Sequence, residues 1–140
     1  MKLTGECFCG AIKYQINGAV FDARSCHCSR CRKAFSSQAS SYALVNASEF
    51  QWLSGTEYLT TYGSLQDFGL QFCKQCGSTL CGTYKNEVHG VTLGCLNDDP
   101  KIVIGRHIFV GSKASWEIIP EGATQYHEHA PEQGKLKKED

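Results

Sequence analysis

Neither sign of charge predominates in this chain: 14 Lys+Arg stand against 14 Asp+Glu, a formal net charge of zero. Proteins that grip nucleic acid draw most of their affinity from neutralising phosphates, and the basic excess they need is missing here. Long apolar runs are missing too; none approaches the roughly 20 residues that a membrane-spanning helix requires. The opening MKLTGECFCG has no basic stretch leading into an apolar one, so it does not read as an export signal. A cytoplasmic protein is therefore expected. Hydrophobic residues at 41% and charged residues at 20% fit neither a disordered chain nor a coiled coil. What the chain has in excess is cysteine, nine in 140 residues. Reducing compartments keep thiols from pairing, so clustered thiols there point to metal binding or to chemistry.

A length of 140 residues suits one domain. The pattern over residues 1–120 reads as a single β-rich unit, and residues 121–140 as a polar tail that frays into solvent. Within Ala11–Ile16 the apolar Ile12, Tyr14 and Ile16 alternate with other residues, which predicts a half-buried strand. Short apolar or aromatic runs at Ser41–Val45, Tyr58–Tyr62, Gly69–Phe72, Val88–Leu93, His107–Val110 and Trp116–Ile119 predict further strands. Asn46–Ala47–Ser48–Glu49 offers a helix cap ahead of Phe50, Trp52 and Leu53, which predicts one short helix.

Seven cysteines fall into three clusters: Cys7-x-Cys9-Gly10, Cys26-x-Cys28-x-x-Cys31 and Cys73-x-x-Cys76-Gly77. In extended chain, residues two apart share a face, so a C-x-C pair can offer both sulfurs to one ion. In a C-x-x-C turn the chain wraps the ion, and a following glycine tolerates the positive φ of that turn. Groups of soft thiolates select zinc over magnesium or calcium. The simplest partition puts Cys7, Cys9, Cys73 and Cys76 on one structural zinc. Cys26, Cys28 and Cys31 then supply three sulfurs to a second zinc, and three protein ligands with an open fourth position mark a catalytic site. His27 points to the opposite face if its segment is extended. Closure of the shell by Cys81, Cys95, His89 or His107 is the competing reading. Cys81 and Cys95 otherwise read as buried, inert thiols, and His127 and His129 as part of the idle tail. Arg30, Arg32 and Lys33 flank the three-cysteine site. They would offset its thiolate charge or hold the carboxylates of an anionic thiol.

Taken in order, these clusters resemble a known family, with Phe72 before and Ser78 after the third, and with His107–Ile108–Phe109, Ser112–Lys113 and Trp116 further on. It is named for the glutathione-dependent formaldehyde-activating enzyme and also contains the centromere protein V domain. The resemblance spans roughly Gly5 to Ile119. It implies a mainly β, Mss4-like fold of small antiparallel sheets around a structural zinc held by Cys7, Cys9, Cys73 and Cys76. It also implies a second, more labile zinc on Cys26, Cys28 and Cys31, and a carbon–sulfur lyase activity joining glutathione to formaldehyde.

A three-thiolate zinc is a weak Lewis acid toward water, so its better use is to hold an incoming thiol in thiolate form. The function expected is thus the joining of glutathione, or a similar thiol, to formaldehyde or another small aldehyde. A non-catalytic thiol carrier and a zinc-stabilised interaction module are the alternatives. His27, His107 and Tyr42 are acid–base candidates without an assignable role.

Overall fold

Ile12, Tyr14 and Ile16 are all fully buried, as their period-two spacing demands. In the computed structural model, which describes residues 1–131, ten short strands and one helix carry the chain. The strands are β1 (Leu3–Glu6), β2 (Lys13–Ile16), β3 (Phe21–Cys26), β4 (Tyr42–Leu44), β5 (Phe50–Ser54), β6 (Leu59–Gly63), β7 (Gly69–Cys73), β8 (Thr79–Tyr84), β9 (Glu87–Thr92) and β10 (Arg106–Ile108). The helix, α1, is Ser29–Phe35. The fold is mainly β, with small antiparallel and mixed sheets, as expected.

Two compact units are interleaved along the chain. The first comprises Met1–Val20 and Ala43–Lys101. Within it β1, β2 and β5 form an antiparallel three-stranded sheet, with Tyr14 opposite Trp52 and Ile16 opposite Phe50. The Tyr14 ring stacks on Phe50 at 5.0 Å and meets Trp52 edge-on at 5.9 Å, so the aromatic pairs pin the register. Strands β6 to β9 form an antiparallel meander in which each strand pairs with the next. Leu80 and Val91 are fully buried in this unit.

The second unit comprises residues 21–42 and the chain from Ile102 onward. Here β3 and β10 run parallel, with Arg24 beside Arg106 and Cys26 beside Ile108. Cys28 caps α1, its sulfur accepting the Cys31 amide at 3.3 Å. Ser36, in the left-handed region at φ 52°, ends the helix.

Two expectations need correction. The cap at Asn46 leads only into a single 3-10 turn, Ala47–Glu49, and Phe50, Trp52 and Leu53 continue as strand β5. A strand pairing with β2 half-buries Phe50 and Trp52 against Tyr14, and that tertiary contact overrides a weak local helix signal. The helix lies instead at Ser29–Phe35, directly after Cys28 and including Cys31. Trp116–Ile119 forms no strand, and Trp116 and Ile118 stand 70% and 86% exposed.

Part of the segment read as a tail makes regular backbone contacts. The amides of His107, Phe109, Val110 and Gly111 donate to the carbonyls of Thr124, Glu128, Tyr126 and His127, and the Phe109 ring meets His129 at 4.7 Å. Residues 132–140 of that tail lie outside the described residues.

Candidate metal centres

The first centre is built from two tight turns. At the first, the Gly10 amide donates to the Cys7 carbonyl at 3.0 Å and the Ile12 amide reaches the Cys7 sulfur at 3.4 Å. At the second, the Gly77 amide donates to the Cys73 carbonyl at 2.8 Å. Gly10 and Gly77 have φ of +79° and +83°, the left-handed region that the turns require and glycine enters without strain. The Phe8 amide donates to the Ser78 hydroxyl at 2.8 Å, tying one turn to the other. The sulfurs of Cys7, Cys9, Cys73 and Cys76 consequently lie within 4.8 Å of one another.

The spacing fits zinc. A tetrahedral ion with Zn–S of about 2.3 Å sets its sulfurs about 3.8 Å apart. The Cys7–Cys9 and Cys9–Cys73 sulfurs are 3.6 and 3.8 Å apart. As free thiols Cys76 and Cys9 are shifted in opposite directions. Burial raises Cys76, but the Ser78 hydroxyl and amide, the Cys9 amide and the Cys73 thiol together bring it down to about 6. Cys9 is pushed up to about 11: the Ala11 amide favours its thiolate, and burial with the neighbouring thiols outweighs that. Mutual perturbation of this kind marks four sulfurs competing for one small volume.

The second centre gathers the sulfurs of Cys26, Cys28 and Cys31 within 4.8 Å of one another. Strand β3 delivers Cys26 at its end, and α1 carries Cys31 on its first turn above the capping Cys28. The Ser40 hydroxyl accepts the Cys26 amide at 3.1 Å, while the Ser40 amide donates to the Cys26 carbonyl at 3.0 Å. A hydrogen bond from Cys26 lowers Cys31 to about 6, helped against burial by Cys28, Ser40 and the Arg30 charge. Cys26 is pushed up by the same bond and by burial. Three soft donors in this volume suit a thiophilic ion.

Among the described residues no His, Asp, Glu or further Cys joins either group. His27 does not turn toward its flanking cysteines: its Nε2 lies 2.9 Å from His107 Nδ1, and the ring is buried. Its Nδ1 is buried without a partner. Burial, then the adjacent His107, lowers its pKa. Tyr42 is pushed up to about 12 by burial, with Arg24 opposing and the Cys26 and Cys31 charges adding to the rise. Arg30 and Lys33 are exposed on α1, and Arg32 is half-buried with its Nε unpartnered. Cys81 sits in β8, pushed up to about 12 by burial and then by Cys95, and burial raises Cys95 as well. Both fit the inert reading. Ser40 escaped sequence reasoning, because a serine among several in Ser36–Ser41 carries no spacing signal.

A crystal structure of a Rhodobacter sphaeroides protein is similar in fold, with a TM-score of 0.52 over 88% of this chain and 98% of that one, at 23% identity. The sequence pattern described as "Glutathione-dependent formaldehyde-activating enzyme" matches residues 2–112, which include all seven clustered cysteines. With both cysteine groups assembled inside that span, the chain belongs to the glutathione-dependent formaldehyde-activating enzyme family.

Proposed function

We propose that the chain is a zinc-dependent enzyme of carbon–sulfur lyase type that joins a thiol, glutathione or one like it, to formaldehyde or another small aldehyde. The observation that carries this reading is the difference between the two centres, four sulfurs in one and three in the other, with no fourth side-chain donor among the described residues. Cys7, Cys9, Cys73 and Cys76 would hold a structural zinc, and Cys26, Cys28 and Cys31 a second one, within a functional domain over residues 1–120. An ion bound by three thiolates supplies a remaining coordination position that favours the thiolate form of an incoming thiol. The fold's own part is to orient. The Cys28 cap, the α1 turn and the two Ser40 hydrogen bonds hold the three sulfurs in a fixed triangle. Arg30, Arg32 and Lys33 on α1 would draw an anionic thiol toward that triangle. In the reaction a sulfur–carbon bond forms, the carbonyl π bond opens, and the thiol proton ends on the former carbonyl oxygen, so no oxidant or reductant is consumed.

Support also comes from family membership. Among the described residues no helix is long and apolar enough to cross a membrane, which accords with small-molecule partners met in solution. Carbon-13 exchange NMR on formaldehyde and glutathione tests the reading. The zinc-loaded protein should speed exchange between free and glutathione-bound formaldehyde, and Cys31→Ser should abolish the acceleration. Unchanged exchange with glutathione demonstrably bound would leave a carrier rather than an enzyme.

A further inference from the structure

The second unit holds a group of charges that the proposed chemistry has not used. Asp22, its side chain 1% exposed, lies between two arginines. Its Oδ2 accepts from Arg24 Nη2, and its Oδ1 forms an ion pair with Arg106 Nη2 at 2.6 Å. Arg24 Nε also reaches the Asp22 carbonyl at 3.5 Å. The guanidiniums come from adjacent parallel strands, where Arg106 is in register with Arg24. They are 17% and 13% exposed. Asp22 stands at φ +54°, the left-handed region that costs a non-glycine residue energy.

Two features set this group apart from an ordinary ion pair. Two cations share one carboxylate, and among the described residues no other acidic group pairs with them. One positive charge is therefore left over in a site mostly withdrawn from water, where an uncompensated charge is costly and a bound anion is held strongly. The two forks also present more N–H groups than one carboxylate and one carbonyl can accept. The second feature is position. Arg24 and Cys26 lie two residues apart on β3 and so face the same way, about 7 Å apart along the strand. The Tyr42 ring covers the Arg24 side chain, with Cζ 5.9 Å from the ring centroid, and closes one side of the site.

We infer that Arg24 and Arg106, aligned by buried Asp22, form a carboxylate seat that makes the three-cysteine centre selective for thiols carrying a carboxylate a few bonds from sulfur. The inference rests on the proposed thiol chemistry for the sulfur end of the ligand. It assigns Arg24 and Arg106 as specificity-determining residues and leaves to exposed Arg30 and Lys33 only the long-range attraction of anions. A cysteinyl peptide or a short mercapto acid has the matching chemistry; a neutral thiol does not.

Calorimetric titration of the zinc-loaded full chain tests this with three probes: 3-mercaptopropionate, 2-mercaptoethanol, and 3-(methylthio)propionate, which keeps the carboxylate but has no thiol. The wild type should bind 3-mercaptopropionate about tenfold or more tighter than 2-mercaptoethanol, the worth of one charge-assisted fork. Arg106→Gln should bring the two close to parity without changing the 2-mercaptoethanol constant. Arg106→Lys keeps Asp22 paired, so it preserves the fold, yet loses the bidentate fork and should lose most of the preference. A role confined to tying β3 to β10 would lower thermal stability and leave the ratio unmoved, and an unmoved ratio in a folded Arg106→Lys protein overturns the inference. Absence of any preference in the wild type overturns it too. If neither thiol binds, the thiol reading fails by itself and 3-(methylthio)propionate decides: binding that Arg106→Lys weakens keeps the seat, and no binding removes it.

Discussion

Removing one sulfur from each centre should have unequal consequences for folding. Cys73→Ser and Cys31→Ser both delete one ligand of a proposed zinc site. The first site joins segments far apart in the chain, since Cys9 and Cys73 are 64 positions apart. The second lies within one short segment, where Cys28 and Cys31 are three positions apart and already joined by a helix-capping hydrogen bond. Closing a loop costs about 0.6 kcal/mol more for each doubling of its length, so the longer clip restrains the unfolded chain by about 2.6 kcal/mol more than the shorter. The difference in burial acts in the same direction, because Cys73 is fully buried and Cys31 only partly so. With a urea slope of about 2 kcal/mol per molar, Cys73→Ser should lower the unfolding midpoint by about 1 M more than Cys31→Ser. Far-UV circular dichroism of zinc-loaded protein gives the midpoints, and a colorimetric zinc assay on the same samples should count two ions in the wild type and one in Cys31→Ser. An equal or larger loss of stability in Cys31→Ser would refute the assignment of the four-sulfur centre as the structural clip.

Two further outcomes come from buried polar groups. The Tyr14 hydroxyl is buried with no hydrogen-bond partner, and burial pushes its pKa up. Tyr14→Phe keeps the stacking on Phe50 and should therefore raise stability, by about 1 kcal/mol or more in urea titration; a loss of that size would mean the hydroxyl is satisfied. Cys81, raised to about 12, holds only about one part in ten thousand as thiolate at pH 8. Iodoacetamide should leave it unlabelled in native protein, as read by peptide mass spectrometry, and modify it only after unfolding.

Legibility in the sequence followed the range of the interaction. The strand around Ile12, Tyr14 and Ile16 was readable because alternation is a local consequence of strand geometry, and all three residues are buried as that alternation requires. The helix at Ser29–Phe35 was hidden: seven residues starting right after Cys28 present no apolar stripe, and the cap is a sulfur rather than one of the usual hydroxyl or carboxyl groups. Phe50, Trp52 and Leu53 failed in the opposite direction, with a local cap signal overruled by pairing against β2.

By itself the sequence determined the chemistry of the donors. Cysteine spacing with a glycine behind it dictates turns that present sulfurs to one side, and those turns are set by a handful of neighbouring residues. Only the tertiary structure decided what faced what. It brought Cys7 and Cys9 to Cys73 and Cys76, turned His27 toward His107, and set Arg24 and Arg106 around Asp22. Apart from Arg24 and Asp22, two positions apart, each of these meetings joins residues dozens of positions apart. Their proximity depends on strand register and burial across the fold, and no short stretch of sequence encodes it.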